Sequence, residues 1–217
     1  MTIHLSYVLI SNLMSFKSSM YYKSVDNVRN FMFSDIEKSL RLGKNVSIGA
    51  PNFLLALGLC CYTEYWGKLV RDIPTGQSQT CFEEFFRRLG NCYAKLLDDK
   101  ISVYKDIRCG LAHSYMIEES SKILIDGGNC GIEYNPSSEY KYKIYVKYYF
   151  QDFKRAVNDY IHGLETGSEN VAAVKNALEN KPDLNRSDQT VMMTKNLFNS
   201  QNSSCYHQPC KRSEIKK

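Results

Sequence analysis

The sequence predicts a mainly α fold: a bundle of about five helices with a small β-hairpin inserted before the last of them. Three observations carry this. Several long segments place apolar residues three and four apart, the spacing of one helix face. One later stretch switches to strict alternation, the period of a strand. The 217 residues, 43% of them hydrophobic, are enough to bury a core of ordinary size.

Val28, Phe31, Met32, Ile36 and Leu40 mark a first helix with one buried face, and Gly43 sits where it would stop. Pro51, tolerated in a first turn, opens a second helix that runs through Phe53 and Trp66 to Val70. Being apolar nearly all round, it belongs at the centre of the bundle. Asp72, Pro74 and Gly76 form a turn. Phe82, Phe85, Phe86, Leu89, Tyr93, Leu96 and Leu97 then make a third, strongly amphipathic helix, which Asp98 and Asp99 end. A fourth, Ile101 to Ala112, presents Tyr104, Arg108 and Leu111 along one side.

Lys122 to Asp126 is a short strand candidate, and Gly127, Gly128, Asn129 and Gly131 form a turn. Glu139 to Phe150 alternates, with Tyr140, Tyr142, Ile144, Val146 and Tyr148 opposite Lys141, Lys143, Tyr145 and Lys147. A hairpin over 122–148 follows from this. Phe150, Phe153, Val157, Tyr160 and Leu164 return to helical spacing, and a short helix is expected from Glu169 to Leu178. The chain thus divides into an N-terminal extension (1–25), a helical domain (26–165), a short helical extension (166–184) and an Asn/Ser-rich basic tail (185–217) of disordered composition.

The formal charge is +5, but residues 185–217 carry six basic and two acidic side chains, or +4 of it, which leaves +1 for the rest. A domain so balanced is not built for strong nonspecific DNA binding, which needs many phosphates neutralised at once. The first twenty residues lack both a basic start and an unbroken apolar run, so neither a signal peptide nor a membrane span is expected, and the chain is assigned to the cytoplasm. Among eight cysteines, Cys60 and Cys61 are adjacent in a helical run, and Cys81, Cys92, Cys109 and Cys130 show no paired metal spacing. Buried free thiols are expected. Cys205, His207 and Cys210 are the one tight cluster for zinc, as in a zinc-binding regulator, but no second pair accompanies them. No Gly-rich phosphate loop, His/Glu metal constellation or nucleophile elbow appears, which counts against ATP hydrolysis and metal-dependent hydrolysis. No metal site and no cofactor is expected.

Chemistry attaches most readily to Ile107-Arg108-Cys109-Gly110-Leu111-Ala112-His113. Arginine is a permanent cation whose planar fork suits phosphate, and histidine exchanges protons near neutral pH. Together they suggest RNA phosphodiester chemistry. Five residues advance a helix by about 140°, so the two side chains do not stack in a continuous helix. Convergence requires loosening at Gly110 or a second copy across a two-fold axis. The alternative is that Arg108 pairs with a carboxylate such as Glu64 while His113 caps a helix C-terminus. Glu64, flanked by Tyr62, Tyr65 and Trp66 in a buried helix, needs such a partner. Lys141, Lys143 and Lys147, interleaved with tyrosines, suit a phosphate backbone and stacked bases, or else protect an exposed sheet edge from aggregation. The terminal run Lys211 to Lys217 is either a solvated tail or a source of nonspecific RNA affinity.

The string Tyr104-Lys-Asp-Ile-Arg-Cys-Gly-Leu-Ala-His-Ser-Tyr115 resembles the motif of the HEPN superfamily, in which an arginine is followed after four to six residues by a histidine near the end of a late helix. The resemblance spans Asp26 to Leu164. It implies a metal-independent endoribonuclease in toxin–antitoxin or phage-defence systems, with two motifs juxtaposed in a homodimer. RNA, a second copy and an antitoxin protein are the partners it implies. Only Arg108 and His113 match the family's residues: His113 would be the general acid or base, and Arg108 would stabilise charge on the transition state. Glu64, Cys109 and Tyr115 stand beside them as candidate supporting residues. Attack by the 2′-hydroxyl would leave a cyclic phosphate, and DNA would be inert. Active members commonly carry a polar residue, often Asn, after the arginine, where this chain has Cys109, a poor substitute for an amide. Noncatalytic members serve as dimerisation or RNA- and nucleotide-binding modules, and that alternative stands beside the nuclease.

Overall fold

Residues 16–44, 51–71, 77–114 and 121–179 are described by a computed structural model of the chain. They form a mainly α fold of seven α-helices, one π-helical segment and a three-stranded sheet. The predicted turn at Asp72, Pro74 and Gly76, the tail with its Cys205, His207 and Cys210 cluster, and the first fifteen residues lie outside the described residues. No described helix is long and apolar enough to cross a membrane.

Helix α1 spans Met20–Lys44 and so begins inside what sequence assigned to an N-terminal extension. The reason is a cap: Ser19 Oγ accepts the Tyr22 amide at 3.2 Å, satisfying one of the helix's free donors. Val25, Met32 and Ile36 are buried, but Phe31 is 52% exposed, a correction to the expected face. Helix α2, Asn52–Arg71, is central as predicted, burying Leu55, Ala56, Leu59, Cys60, Thr63, Glu64, Trp66, Gly67, Leu69 and Val70.

The predicted third helix is two. Helix α3 covers Ser78–Arg88 and α4 covers Asn91–Asp98. Between them Gly90 adopts φ 140°, which L side chains rarely accept, and Arg155 donates to the freed Leu89 carbonyl. The apolar face was read correctly, since Phe82, Phe85, Phe86, Leu89, Tyr93 and Leu96 are all buried. The helix pattern continues across the break because both segments cover the same core.

After the π-helical segment Tyr104–Cys109 and the short helix α5 (Gly110–Ser114) come strands β1 (Ser121–Leu124), β2 (Ile132–Tyr134) and β3 (Tyr142–Tyr145). They replace the expected hairpin with a mixed sheet in the order β1-β3-β2, β3 running parallel to β1 and antiparallel to β2. Alternation also overran the strand. Helix α6, Val146–Thr166, takes over at Val146, and Val146, Tyr149, Phe150 and Phe153 satisfy helical spacing just where Tyr142, Ile144 and Val146 satisfy a period of two. Gly167 ends α6 in the left-handed region at φ 78°. Helix α7, Val171–Glu179, follows, its first turn capped by Asn170 Oδ1, which accepts the Ala172 and Ala173 amides at 3.0 and 3.3 Å.

The sheet is tied to the bundle by specific bonds. Asn52 donates to the Ile123 carbonyl at 3.2 Å; Tyr93 Oη donates to Asp152 at 2.7 Å and accepts the Gly131 amide at 3.1 Å. A disulfide joins Cys92 to Cys130, so the expectation of buried free thiols is corrected for this pair; it holds for Cys60 and Cys81, while Cys61 and Cys109 are free but only half-buried. No metal-like spacing in sequence could reveal it, because the two sulfurs meet only after the sheet folds back on α4.

Candidate functional site

The helix that carries the motif is widened. Val103, Ile107 and Leu111 recur every four residues and are 0, 0 and 1% exposed. The segment Tyr104–Cys109 is π-helical, bonding residue i to i+5, and Asp106 within it accepts a hydrogen bond from the Tyr142 hydroxyl of β3 at 2.6 Å.

Arg108 leaves this segment toward α2. Its Nη2 lies 2.8 Å from Glu64 Oε2, with the two side chains 19% and 8% exposed. Lys68, one turn along α2, approaches the other carboxylate oxygen at 3.5 Å, and the Tyr104 ring lies 5.5 Å from the guanidinium carbon. Burial works against the charge on Arg108, but Glu64 and Tyr104 more than offset it and leave the group above its ordinary value. The ion pair is short without being well aligned: Glu64 Oε2 and Arg108 Nε are both buried with no directed hydrogen bond. Arg108 is therefore positioned by Glu64 but not saturated by it.

His113 stands in the last turn of α5, exposed. The contacts of Arg108 run to Glu64 and Tyr104, not to His113. Gly110 itself is α-helical at φ −56° and ψ −49°, while the widened segment, Tyr104–Cys109, includes Arg108 and ends directly before Gly110. Cys109 is a half-buried free thiol beside them, and Tyr115 lies outside the described residues. Burial pushes the Cys60 thiol up to about 12 and raises Cys61 too, which disfavours thiolate chemistry at either.

The three predicted phosphate contacts are separated. Lys147 is in the first turn of α6, not on a strand, and pairs with Asp126 at 2.6 Å. Lys141 precedes β3, its ammonium 5.7 Å from the ring centres of both Tyr134 and Tyr142. Lys143 lies in the middle strand, in register with Lys122 on one side and Glu133 on the other, so the edge-protection explanation fails for it. A cleft of about 470 Å³ elsewhere is lined by Arg71, Glu83, Glu84, Arg87 and Lys100 and by neither Arg108 nor His113. Its arginines are committed, Arg71 to Glu84 at 2.9 Å and Arg87 to Asp98 at 2.7 Å.

Known protein families, curated proteins and solved structures yield no match to this chain. Its site is read from its own chemistry. Among the described residues no group of three or more His, Cys, Asp or Glu side chains is arranged to hold a metal. Sequence reasoning named Glu64 and Arg108 but missed Lys68 and Lys122, and gave Tyr104 no role at the site. The spacing of four from Glu64 to Lys68 and from Tyr104 to Arg108 was an available signal. For Lys122 there was none, since its importance depends on parallel pairing with β3.

Proposed function

We propose that the chain is a HEPN-type, metal-independent endoribonuclease that acts as a homodimer. The observation that carries this is the arrangement of the motif: an exposed His113 at a helix end, five residues beyond an arginine held by Glu64 and Tyr104 with its Nε unpaired. His113 removes the 2′-hydroxyl proton or protonates the leaving 5′-oxygen. The 2′-oxygen attacks phosphorus, the bond to the 5′-oxygen breaks, and a 2′,3′-cyclic phosphate remains. Arg108 stabilises the charge that builds on the phosphoryl oxygens. A second copy supplies the complementary motif, since the contacts of Arg108 run to Glu64 and Tyr104 rather than to His113. Cytoplasmic toxin–antitoxin or phage-defence use, with an antitoxin protein as regulator, completes the proposal; a reducing cytoplasm would tend to open the Cys92–Cys130 bond.

A noncatalytic RNA-binding or dimerisation module is the second reading, favoured by one observation: Glu64 already neutralises a largely buried Arg108. Labelled single-stranded RNA incubated with wild type and with His113→Ala in excess EDTA, beside the matching DNA, separates the two. RNA cleavage to cyclic-phosphate ends that vanishes in the variant is the expected result. Intact RNA with a folded wild-type dimer selects the module.

A further inference from the structure

We infer that the outer face of the sheet is a binding surface for single-stranded RNA, with Lys122 and Lys143 at its centre. This deepens the RNA-directed reading above and rests on it for the choice of partner. Ile123, Ile144 and Ile132 stand in one register row and are buried, so the neighbouring row, Lys122, Lys143 and Glu133, faces outward. Two lysines thus lie side by side on strands about 4.8 Å apart, an arrangement that costs stability unless an anion lies across it.

The row holds one carboxylate for two lysines. Glu133, in register with Lys143, also accepts the Asn129 amide at 3.3 Å and the Tyr145 hydroxyl at 3.2 Å, and Lys122 lies one strand farther from it. Among the described residues neither Lys122 nor Lys143 forms an ion pair. The Lys122 ammonium lies 5.0 Å from the Tyr140 ring centre. Tyr140 is half-buried, leaving part of its ring in solvent. An ammonium beside a partly open aromatic ring matches a chain of phosphates and bases, since every base has a face to stack. An acidic peptide would use the charges and leave the ring idle. A lipid surface would call for exposed aliphatic side chains, which this row lacks.

The test is fluorescence anisotropy of labelled single-stranded RNA over a salt series, all in a His113→Ala background so that the probe is not consumed. Lys122→Gln/Lys143→Gln should weaken binding about tenfold and flatten the slope of log K against log salt by about 1.4, two contacts at about 0.7 each. Lys122→Arg/Lys143→Arg should retain affinity, and Lys95→Gln, an exposed lysine on α4, should change neither quantity. Unchanged affinity and slope in the double glutamine variant, an equal loss in Lys95→Gln, no RNA binding by the parent, or binding to phosphatidylserine vesicles in place of RNA would each overturn the inference. Lysine-dependent binding without cleavage by wild type leaves the surface and removes the nuclease. Cleavage at unchanged KM in the double variant, made with His113 intact, does the reverse.

Discussion

Arg108 Nη2 stands 2.8 Å from Glu64 Oε2, and this ion pair joins the motif segment to the central helix. Removing one member strands the other in a site where Glu64 is 8% and Arg108 19% exposed. Glu64→Gln should destabilise the fold by about 2–3 kcal/mol, somewhat less than for a fully enclosed pair. Urea unfolding checks it: the midpoint falls while the m-value holds. Glu64→Leu with Arg108→Met should recover most of that loss, because neither charge is then left alone.

Gly67 is where α2 and α3 touch. A Cβ there would lie 1.7 Å from the Cys81 carbonyl oxygen, a backbone atom that cannot turn aside. Gly67→Ala therefore forces the helices apart, at a cost of about 3 kcal/mol or more. A fall in melting temperature of roughly 6–12 °C is expected by calorimetry. Gly58→Ala is the control, since its Cβ would meet only Ile36 Cδ1, at 3.6 Å.

The Cys92–Cys130 disulfide closes a loop over a sequence separation of 38. In the chain-entropy account a loop of this length contributes about 4 kcal/mol by restricting the unfolded chain. Cys92→Ser, or wild type in reductant, should melt about 10 °C lower. Equal melting temperatures with and without reductant would remove the bond from the stability account.

Glu165 makes stability depend on acid. The Tyr22 hydroxyl, 2.7 Å away, and the Lys17 ammonium, 3.3 Å away, hold its carboxyl below the ordinary 4.5 against the opposing effect of burial. A depressed folded value means that the contribution is complete above about 4.5 and is lost as pH falls through the folded value. Glu165→Gln should flatten the acid limb of a melting-temperature profile and leave the dependence near neutrality unchanged. Parallel acid limbs for the two proteins would contradict this.

Much of the architecture was legible because it is local. The buried faces of α2, α3, α4 and α6 follow the spacing of Leu59, Phe82, Phe86, Tyr93, Phe153 and Tyr160, which solvent exclusion imposes residue by residue. The pairing of Glu64 with Arg108 was also legible, since a carboxylate in an apolar helix must find a cation. The face of α1 was less so: Phe31 fits the period but is exposed, whereas α1 covers the core with Val25, Met32 and Ile36, helped by the partly buried Tyr22, Val28, Phe33 and Leu40.

Periodicity and composition were sufficient for the helical class, the apolar faces and the Arg108-to-His113 motif, all of which depend on neighbours a few residues away. Folding in three dimensions settled the rest: the parallel partner of β3, the break at Gly90 and the Cys92–Cys130 bond. Each of these arises between groups far apart in the chain or from a backbone turn that such groups hold in place. Close packing selects among many locally acceptable conformations, and no window of sequence contains both sides of that choice.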